Sequence, residues 1–232
     1  MNEIYHVLNR GVDKRKIFLS NKDYYRFIHD LFEFNDIKPV NTTTYRFKST
    51  IIQSNPLSSN VLRGRNKDKE PLVELHAFCL MPNHYHLSPS PIIEGGMSKY
   101  MAKVNAGYVK YFNIKNNRSG TLFESKYKKI LIENDKHFHH LLIYIHLNPL
   151  DLYMPEWRER SLKGNEIDRC LKFLETYKWS SHLDYLGKQN FPSVTQRKYF
   201  LEYFNGNKGY EEAVVNWLKA PKIGRIKTYL LE

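Results

Sequence analysis

Hydrophobic residues fall into short blocks with two different spacings in the first part of the chain. The segments 4–8 and 72–80 are apolar runs of strand length, and the first is partly β-branched. Between them, apolar residues recur every three or four positions from Tyr24 to about Phe34, behind possible capping residues at 20–23. This order of strand, helix and strand predicts an α+β protein with helices layered on a sheet.

The second half of the chain continues the alternation and then becomes mainly helical. An apolar stripe over 97–112 predicts a long helix, and the alternating segment 121–133 predicts a strand. Another helix begins at Asp135 and ends at Leu147-Asn148-Pro149, because a residue before proline avoids helical geometry. Further helices are expected in the C-terminal part, near 166–177, 195–204 and 209–219.

These patterns divide the chain into a first unit at 1–150 and a mainly helical extension at 151–232. Residues 38–71 interrupt the first unit, because they are rich in proline, serine, threonine and asparagine and contain the basic run 63–69. We interpret 38–71 as an inserted basic loop. It is either a solvated charge run or a segment that closes on phosphates.

The charge balance indicates a polyanionic partner. Lysine and arginine total 36 against 24 acidic residues, which gives a net charge of +12. Nucleic acid is the leading candidate, and a basic protein without such a partner is the alternative. The side chains that we expect to contact phosphate lie in the inserted loop and on the predicted strand at 121–133: Arg63, Arg65, Lys67, Lys126, Lys128 and Lys129.

Cysteine content and hydropathy exclude several other classes. Cys79 and Cys170 form no Cys-x-x-Cys pair, which excludes a zinc ribbon, and no disulfide is needed. No run approaches the roughly 20 apolar residues of a membrane span, and the first residues lack a signal-peptide pattern. We therefore expect a cytoplasmic protein without a membrane partner.

The candidate chemistry centres on His84 and His86, which follow a Pro82-Asn83 turn signal and an apolar run. Side chains at i and i+2 of a strand point to the same face, so the two imidazoles can share a divalent cation. Mg²⁺ or Mn²⁺ with additional oxygen ligands is our prediction. The alternative is a His-x-His pair on the surface or in the core without a metal.

Several segments together resemble one family. They are Asn9-Arg10-Gly11, Met81 to Leu87, Tyr108 to Asn113, Ser119 to Phe123, Tyr144 to Pro149 and Trp179-Ser180-Ser181. In this order they are similar to blocks of the single-tyrosine transposases, particularly the branch associated with repetitive extragenic palindromes. The resemblance spans roughly residues 3–185. It implies a ferredoxin-like antiparallel sheet with helices on one face and a central strand that carries both histidines.

The resemblance also implies cleavage and rejoining of single-stranded DNA, with hairpin or palindromic substrates, through a 5′-phosphotyrosine intermediate. It places the nucleophile at Tyr108, with Tyr111 as the runner-up, and the metal at the histidine pair. Asn113 is a candidate amide-oxygen ligand, although it does not share a helix face with Tyr108. Monomer and homodimer both remain open.

Two other functions are compatible with the same residues. One is a non-catalytic protein that binds single-stranded DNA or RNA hairpins, with aromatic side chains stacked on bases. The other is a metal-dependent hydrolase that uses water instead of tyrosine. A covalent protein–DNA adduct distinguishes both from the transposase.

Overall fold

A four-stranded antiparallel sheet with the strand order β2-β3-β1-β4 forms the centre of the fold. The structure, a computed structural model, describes residues 3–39, 69–132 and 135–220, apart from the side chains at 135–137 and 139. The strands are β1 (Ile4–Arg10), β2 (Val73–Met81), β3 (His84–Pro91) and β4 (Lys128–Ile132). One helix lies between β1 and β2 and another between β3 and β4, which is the ferredoxin-like topology. The predicted α+β class is confirmed.

The helices of the described residues follow the predicted pattern, apart from one short helix at His182–Tyr185 that the sequence did not predict. They are α1 (Asn21–Glu33), α2 (Gly96–Lys115), α3 (Asp135–Leu147), α4 (Asn165–Thr176), α5 (His182–Tyr185), α6 (Lys198–Tyr203) and α7 (Asn207–Lys219). Short 3-10 turns occupy Val12–Lys14, Asn148–Leu152 and Pro155–Arg158. A capping box of Ser20 and Asp23 satisfies backbone N–H groups at the start of α1, as the sequence predicts.

Helices cover both faces of the sheet, whereas the sequence led us to expect them on one. Helices α1 and α2 pack on the face that presents Val7, Phe78 and Leu87. Helix α3 and the C-terminal helices pack on the opposite face, against Ala77 and Cys79. The C-terminal segment therefore completes a second hydrophobic core of the same sheet. The domain boundary at residue 150 stays a prediction.

A tight Pro82-Asn83 turn joins β2 to β3 and fixes where the histidine strand begins, with Met81 paired to His84. The Pro82 carbonyl accepts hydrogen bonds from the N–H groups of Ile17 and Phe18, and the Asn83 carbonyl accepts one from Gly11. A β-carbon at Gly11 would lie 2.4 Å from the Arg15 carbonyl oxygen, so the close approach of Arg15 to the backbone at position 11 requires glycine.

Within the described part of the segment 121–133, which the sequence predicts as one strand, only Lys128–Ile132 pairs with β1 as a strand. Residues before it instead follow the end of β1, where Phe123 bridges Gly11 and the Glu124 N–H donates to the Arg10 carbonyl. Among the described residues, no helix is long and apolar enough to cross a membrane.

Candidate active site

Three histidines meet on one face of the sheet. His84 and His86 lie two residues apart on β3, and their ring centroids are 4.9 Å apart. His6 on the neighbouring strand β1 stacks on His86 at 5.1 Å, and a 2.9 Å hydrogen bond joins His6 Nε2 to His86 Nδ1. Both His6 and His86 are fully buried, and His84 is 7% exposed. His84 and His86 thus lie on one face of the strand, as predicted, and a third histidine, His6, stacks on His86.

The hydrogen bonds of these rings decide which nitrogen can bind a metal. The Asn83 amide oxygen lies 2.7 Å from His84 Nδ1 and can only accept, so Nδ1 donates and Nε2 carries the lone pair. In the pair of His86 and His6, one nitrogen must donate. When His86 Nδ1 donates to His6, the lone pair of His86 also lies on Nε2, which is the usual arrangement of a metal-ligating histidine.

His86 is neutral at physiological pH. Burial, followed by the positive charges of Arg158 and Arg10, lowers the pKa of His86 to about 3. A neutral imidazole is the form that coordinates a metal ion. His84 and His86 therefore fit two nitrogen ligands of a divalent cation, with water and phosphate oxygens as the other ligands. Within the described ranges, no group of three or more His, Cys, Asp or Glu residues is arranged to hold a metal.

Tyr144 lies beside the histidines. It is on α3, and its ring centroid is 5.8 Å from that of His86 and 5.9 Å from that of His6, both in edge-on arrangements. Its hydroxyl oxygen accepts a 2.9 Å hydrogen bond from Arg158 Nη1. One face of the sheet thus brings together two candidate metal ligands, a phenolic hydroxyl and a guanidinium group.

Sequence reasoning did not assign a role to Tyr144, although it belongs to one of the blocks that carry the family resemblance. The available signal is the spacing of Tyr144 and Asn148, which are four residues apart at the C-terminal end of α3 and can therefore be neighbours. The Asn148 amide donates to the Tyr144 carbonyl at 2.8 Å. Every residue of α3 from 141 to 147 is buried, so hydrophobic periodicity does not separate Tyr144 from its core neighbours.

Tyr108, the expected nucleophile, lies on the other face of the sheet. It packs against Phe27 and Phe18 in the core that α1 and α2 form, and its hydroxyl donates to the Ile17 carbonyl at 2.5 Å. Burial, followed by the nearby Asp23 charge, raises the pKa of Tyr108 well above its ordinary value. The structure does not bring this hydroxyl to the histidine pair.

Tyr111 and Asn113 are equally separate from the histidines. The Tyr111 hydroxyl donates to Asp23 at 2.9 Å, and burial raises the pKa of this tyrosine. The Asn113 amide donates to the Gly120 carbonyl and accepts from Arg118, so it fastens the loop after α2. The expectation that Asn113 ligates the metal is therefore not met by this geometry.

The lysines that we expected to contact phosphate line the edge of the sheet. Lys126, Lys128 and Lys129 are all exposed, at or just before β4. Lys128 pairs with Leu8 and lies on the histidine face, whereas Lys129 lies on the opposite face over the Tyr5 ring. Arg63, Arg65 and Lys67 lie outside the described residues.

Comparisons with known proteins are sparse. No protein-family model matches the sequence, and no curated protein matches it. The fold is similar to a solved structure described as "Structure of the REP associates tyrosine transposase bound to a REP hairpin". The two share 14% identity over 66% of this chain and 68% of that chain, with a TM-score of 0.38. Because the identity and the TM-score are this low, the functional proposal rests on the side-chain geometry of this chain and not on the comparison.

Proposed function

We propose that this protein cleaves and rejoins single-stranded DNA, with Tyr144 as the nucleophile and with His84 and His86 as ligands of Mg²⁺ or Mn²⁺. The observation that supports this proposal is the convergence of these three side chains and Arg158 on one face of the sheet. The net charge of +12 favours a polyanionic substrate. The family resemblance of the sequence favours hairpin or palindromic DNA.

In the proposed reaction, the Tyr144 Oη attacks the phosphorus of a phosphodiester and forms a bond to it, while the bond from phosphorus to the 3′ oxygen breaks. The products are a 5′-phosphotyrosine and a free 3′ hydroxyl. The departing 3′ oxygen gains a proton and the phenol loses one, so the step needs no further reactant. Because the ester is retained, attack by a 3′ hydroxyl reverses the step and reseals a strand.

Each residue of the site has a separate role in this proposal. A divalent ion held by His84 and His86 would polarise the phosphate oxygens. His6 orients the His86 ring through their shared hydrogen bond. The exposed lysines at β4 hold the DNA backbone by charge.

The proposal is tested by incubating the full chain with single-stranded hairpin DNA and Mg²⁺, followed by denaturing electrophoresis. We expect a protein–DNA adduct that resists denaturation, no adduct with Tyr144→Phe, and an undiminished adduct with Tyr108→Phe. Each substitution removes one hydroxyl and keeps its ring, so the two variants are matched. Cleavage without an adduct would support the water-using hydrolase instead.

A non-catalytic hairpin-binding protein is the second candidate, and the burial of the site favours it. His86 is fully buried and Tyr144 is only 4% exposed. Such a protein would bind single-stranded hairpin DNA or RNA without cleaving it, and affinity would be unchanged by Tyr144→Phe or His84→Ala. Detection of the covalent adduct excludes it.

A further inference from the structure

We propose that Arg158, held in place by Asp151, fixes the Tyr144 hydroxyl for attack and stabilises the negative charge that develops on its oxygen. This inference rests on the proposed function, in which Tyr144 is the nucleophile. It assigns a catalytic contact to the 3-10 turns that follow α3, a segment for which the sequence analysis predicts no function.

One side of the Arg158 guanidinium is fastened to a carboxylate. Arg158 Nε donates to Asp151 Oδ1 at 2.7 Å, and Nη2 donates to Asp151 Oδ2 at 2.6 Å. This bidentate geometry fixes both the orientation and the position of the guanidinium. Trp157 Nε1 also donates to Asp151 Oδ1, at 2.6 Å. The carboxylate is therefore itself held in place by a fully buried indole.

The other side of the guanidinium faces the proposed nucleophile. Arg158 Nη1 donates to the Tyr144 hydroxyl oxygen at 2.9 Å, and Nη2 donates to the Asn148 amide oxygen at 2.8 Å. The guanidinium carbon lies 5.0 Å from the centroid of the Tyr144 ring. Because Arg158 donates to the phenolic oxygen, the proton of that oxygen points elsewhere and can be lost during attack.

A hydrogen bond from a cation strengthens as negative charge grows on its acceptor. The hydrogen bond from Arg158 to Tyr144 is therefore stronger in the transition state than in the resting enzyme. This difference is what accelerates a reaction. The competing interpretation is structural, because the same ion pair also ties the turn Pro155–Arg158 to the turn Asn148–Leu152.

The test separates cleavage from binding in single-turnover reactions with excess protein, Mg²⁺ and a single-stranded hairpin. We expect Arg158→Ala to lower the cleavage rate about 100-fold, the typical loss for one charge-stabilising donor. DNA affinity should stay within about threefold, since the contact matters only in the transition state. Millimolar guanidinium should restore part of the rate in Arg158→Ala, and Arg158→Lys should lose less than Arg158→Ala.

Arg160→Ala is the matched control, because Arg160 is two residues away and forms an exposed ion pair with Glu166 at 2.6 Å. It should cleave at the wild-type rate and should not respond to guanidinium. Should Arg158→Ala fold poorly in thermal unfolding, Asp151→Asn keeps the arginine and loosens its clamp, and a lower rate at unchanged DNA affinity is again expected.

Three results would overturn the inference: a wild-type cleavage rate in Arg158→Ala, an equal loss in Arg160→Ala, or a loss that guanidinium and lysine both fail to restore. In each of these, wild-type cleavage and its adduct persist, so the proposed function stands. A wild-type protein that forms no adduct overturns both.

Discussion

At the scale of single residues, the orientation of the His86 ring decides whether the histidine pair can hold a metal ion. A 2.9 Å hydrogen bond joins His6 Nε2 to His86 Nδ1. Partners of this kind fix the tautomer of a ligating histidine, and their loss typically weakens metal binding by about 10–100-fold. His6 is thus expected to contribute to metal affinity without being a ligand.

We expect His6→Phe, which keeps an aromatic ring of similar shape, to weaken Mn²⁺ binding by about 10-fold or more. Calorimetric titration of the purified protein with Mn²⁺ measures this directly. His76→Phe is the control, since His76 is also buried but bonds to Ser90 instead of the pair. Equal Mn²⁺ affinity in His6→Phe and wild type would contradict the orienting role.

The two tyrosines show what periodicity can and cannot predict at this scale. Tyr108 lies on the apolar stripe of α2, which correctly predicts the buried side of that helix, whereas Tyr144 lies in a part of α3 where every residue from 141 to 147 is buried. Periodicity does not say which face of the sheet a helix covers. Side chains alternate along β3, so Tyr85 points toward α1 and α2 and the two histidines point toward α3. A tyrosine can therefore reach the histidines from α3 and not from α2.

At the scale of elements, a buried polar network ties α3 to the C-terminal helices. His146 bonds to the Ser181 hydroxyl at 2.7 Å and to the Tyr210 hydroxyl at 2.8 Å, and His182 bonds to the same Tyr210 hydroxyl at 2.7 Å. Burial lowers the pKa of His182 to about 4 and that of His146 well below its ordinary value. The network is therefore built for neutral histidines.

This network predicts acid sensitivity. An unfolded histidine binds a proton below about pH 6.5, whereas folded His182 does so only below about pH 4, so the free energy of unfolding falls as pH falls through this window. Each such histidine contributes up to about 1.4 kcal/mol per pH unit. We expect His182→Asn, which keeps a non-titrating hydrogen-bonding group, to flatten the slope measured by urea unfolding between pH 4 and 6.5. An unchanged slope would contradict this assignment.

The bounds of the strands were predicted less accurately than those of the helices. The apolar runs of β1 and β2 and the Pro82-Asn83 turn located three strands correctly, because burial and turn chemistry agree there. Alternation over 121–133 overestimated β4, since residues 121–127 are held by isolated backbone contacts to the end of β1. Such tertiary contacts leave no periodic signal in the sequence.

At the scale of the whole molecule, positive charge is the feature that should govern substrate affinity. The chain carries a net charge of +12, and three exposed lysines line the β4 edge of the sheet. Release of counterions from single strands makes log affinity fall with log salt by about 0.7 for each phosphate neutralised. Binding of single-stranded DNA should therefore weaken steeply between low and physiological salt.

Replacing Lys126, Lys128 and Lys129 with glutamine should reduce the salt slope by about 2, if each contacts one phosphate. Fluorescence anisotropy with a labelled hairpin at several salt concentrations measures the slope. The matched control replaces three exposed lysines of the C-terminal part, Lys163, Lys172 and Lys208, and removes the same charge. Equal slopes in the two triple variants would contradict a specific role of the β4 edge.

The identity of the nucleophile is the central claim, and peptide mapping of the covalent adduct tests it most directly. Wild-type protein is trapped with hairpin DNA and Mg²⁺, digested with nuclease and protease, and analysed by mass spectrometry for a tyrosine that carries a nucleotide. We predict the modification on Tyr144, beside His86 on the face that α3 covers. A nucleotide attached to Tyr108 or Tyr111, across the sheet, would contradict the account.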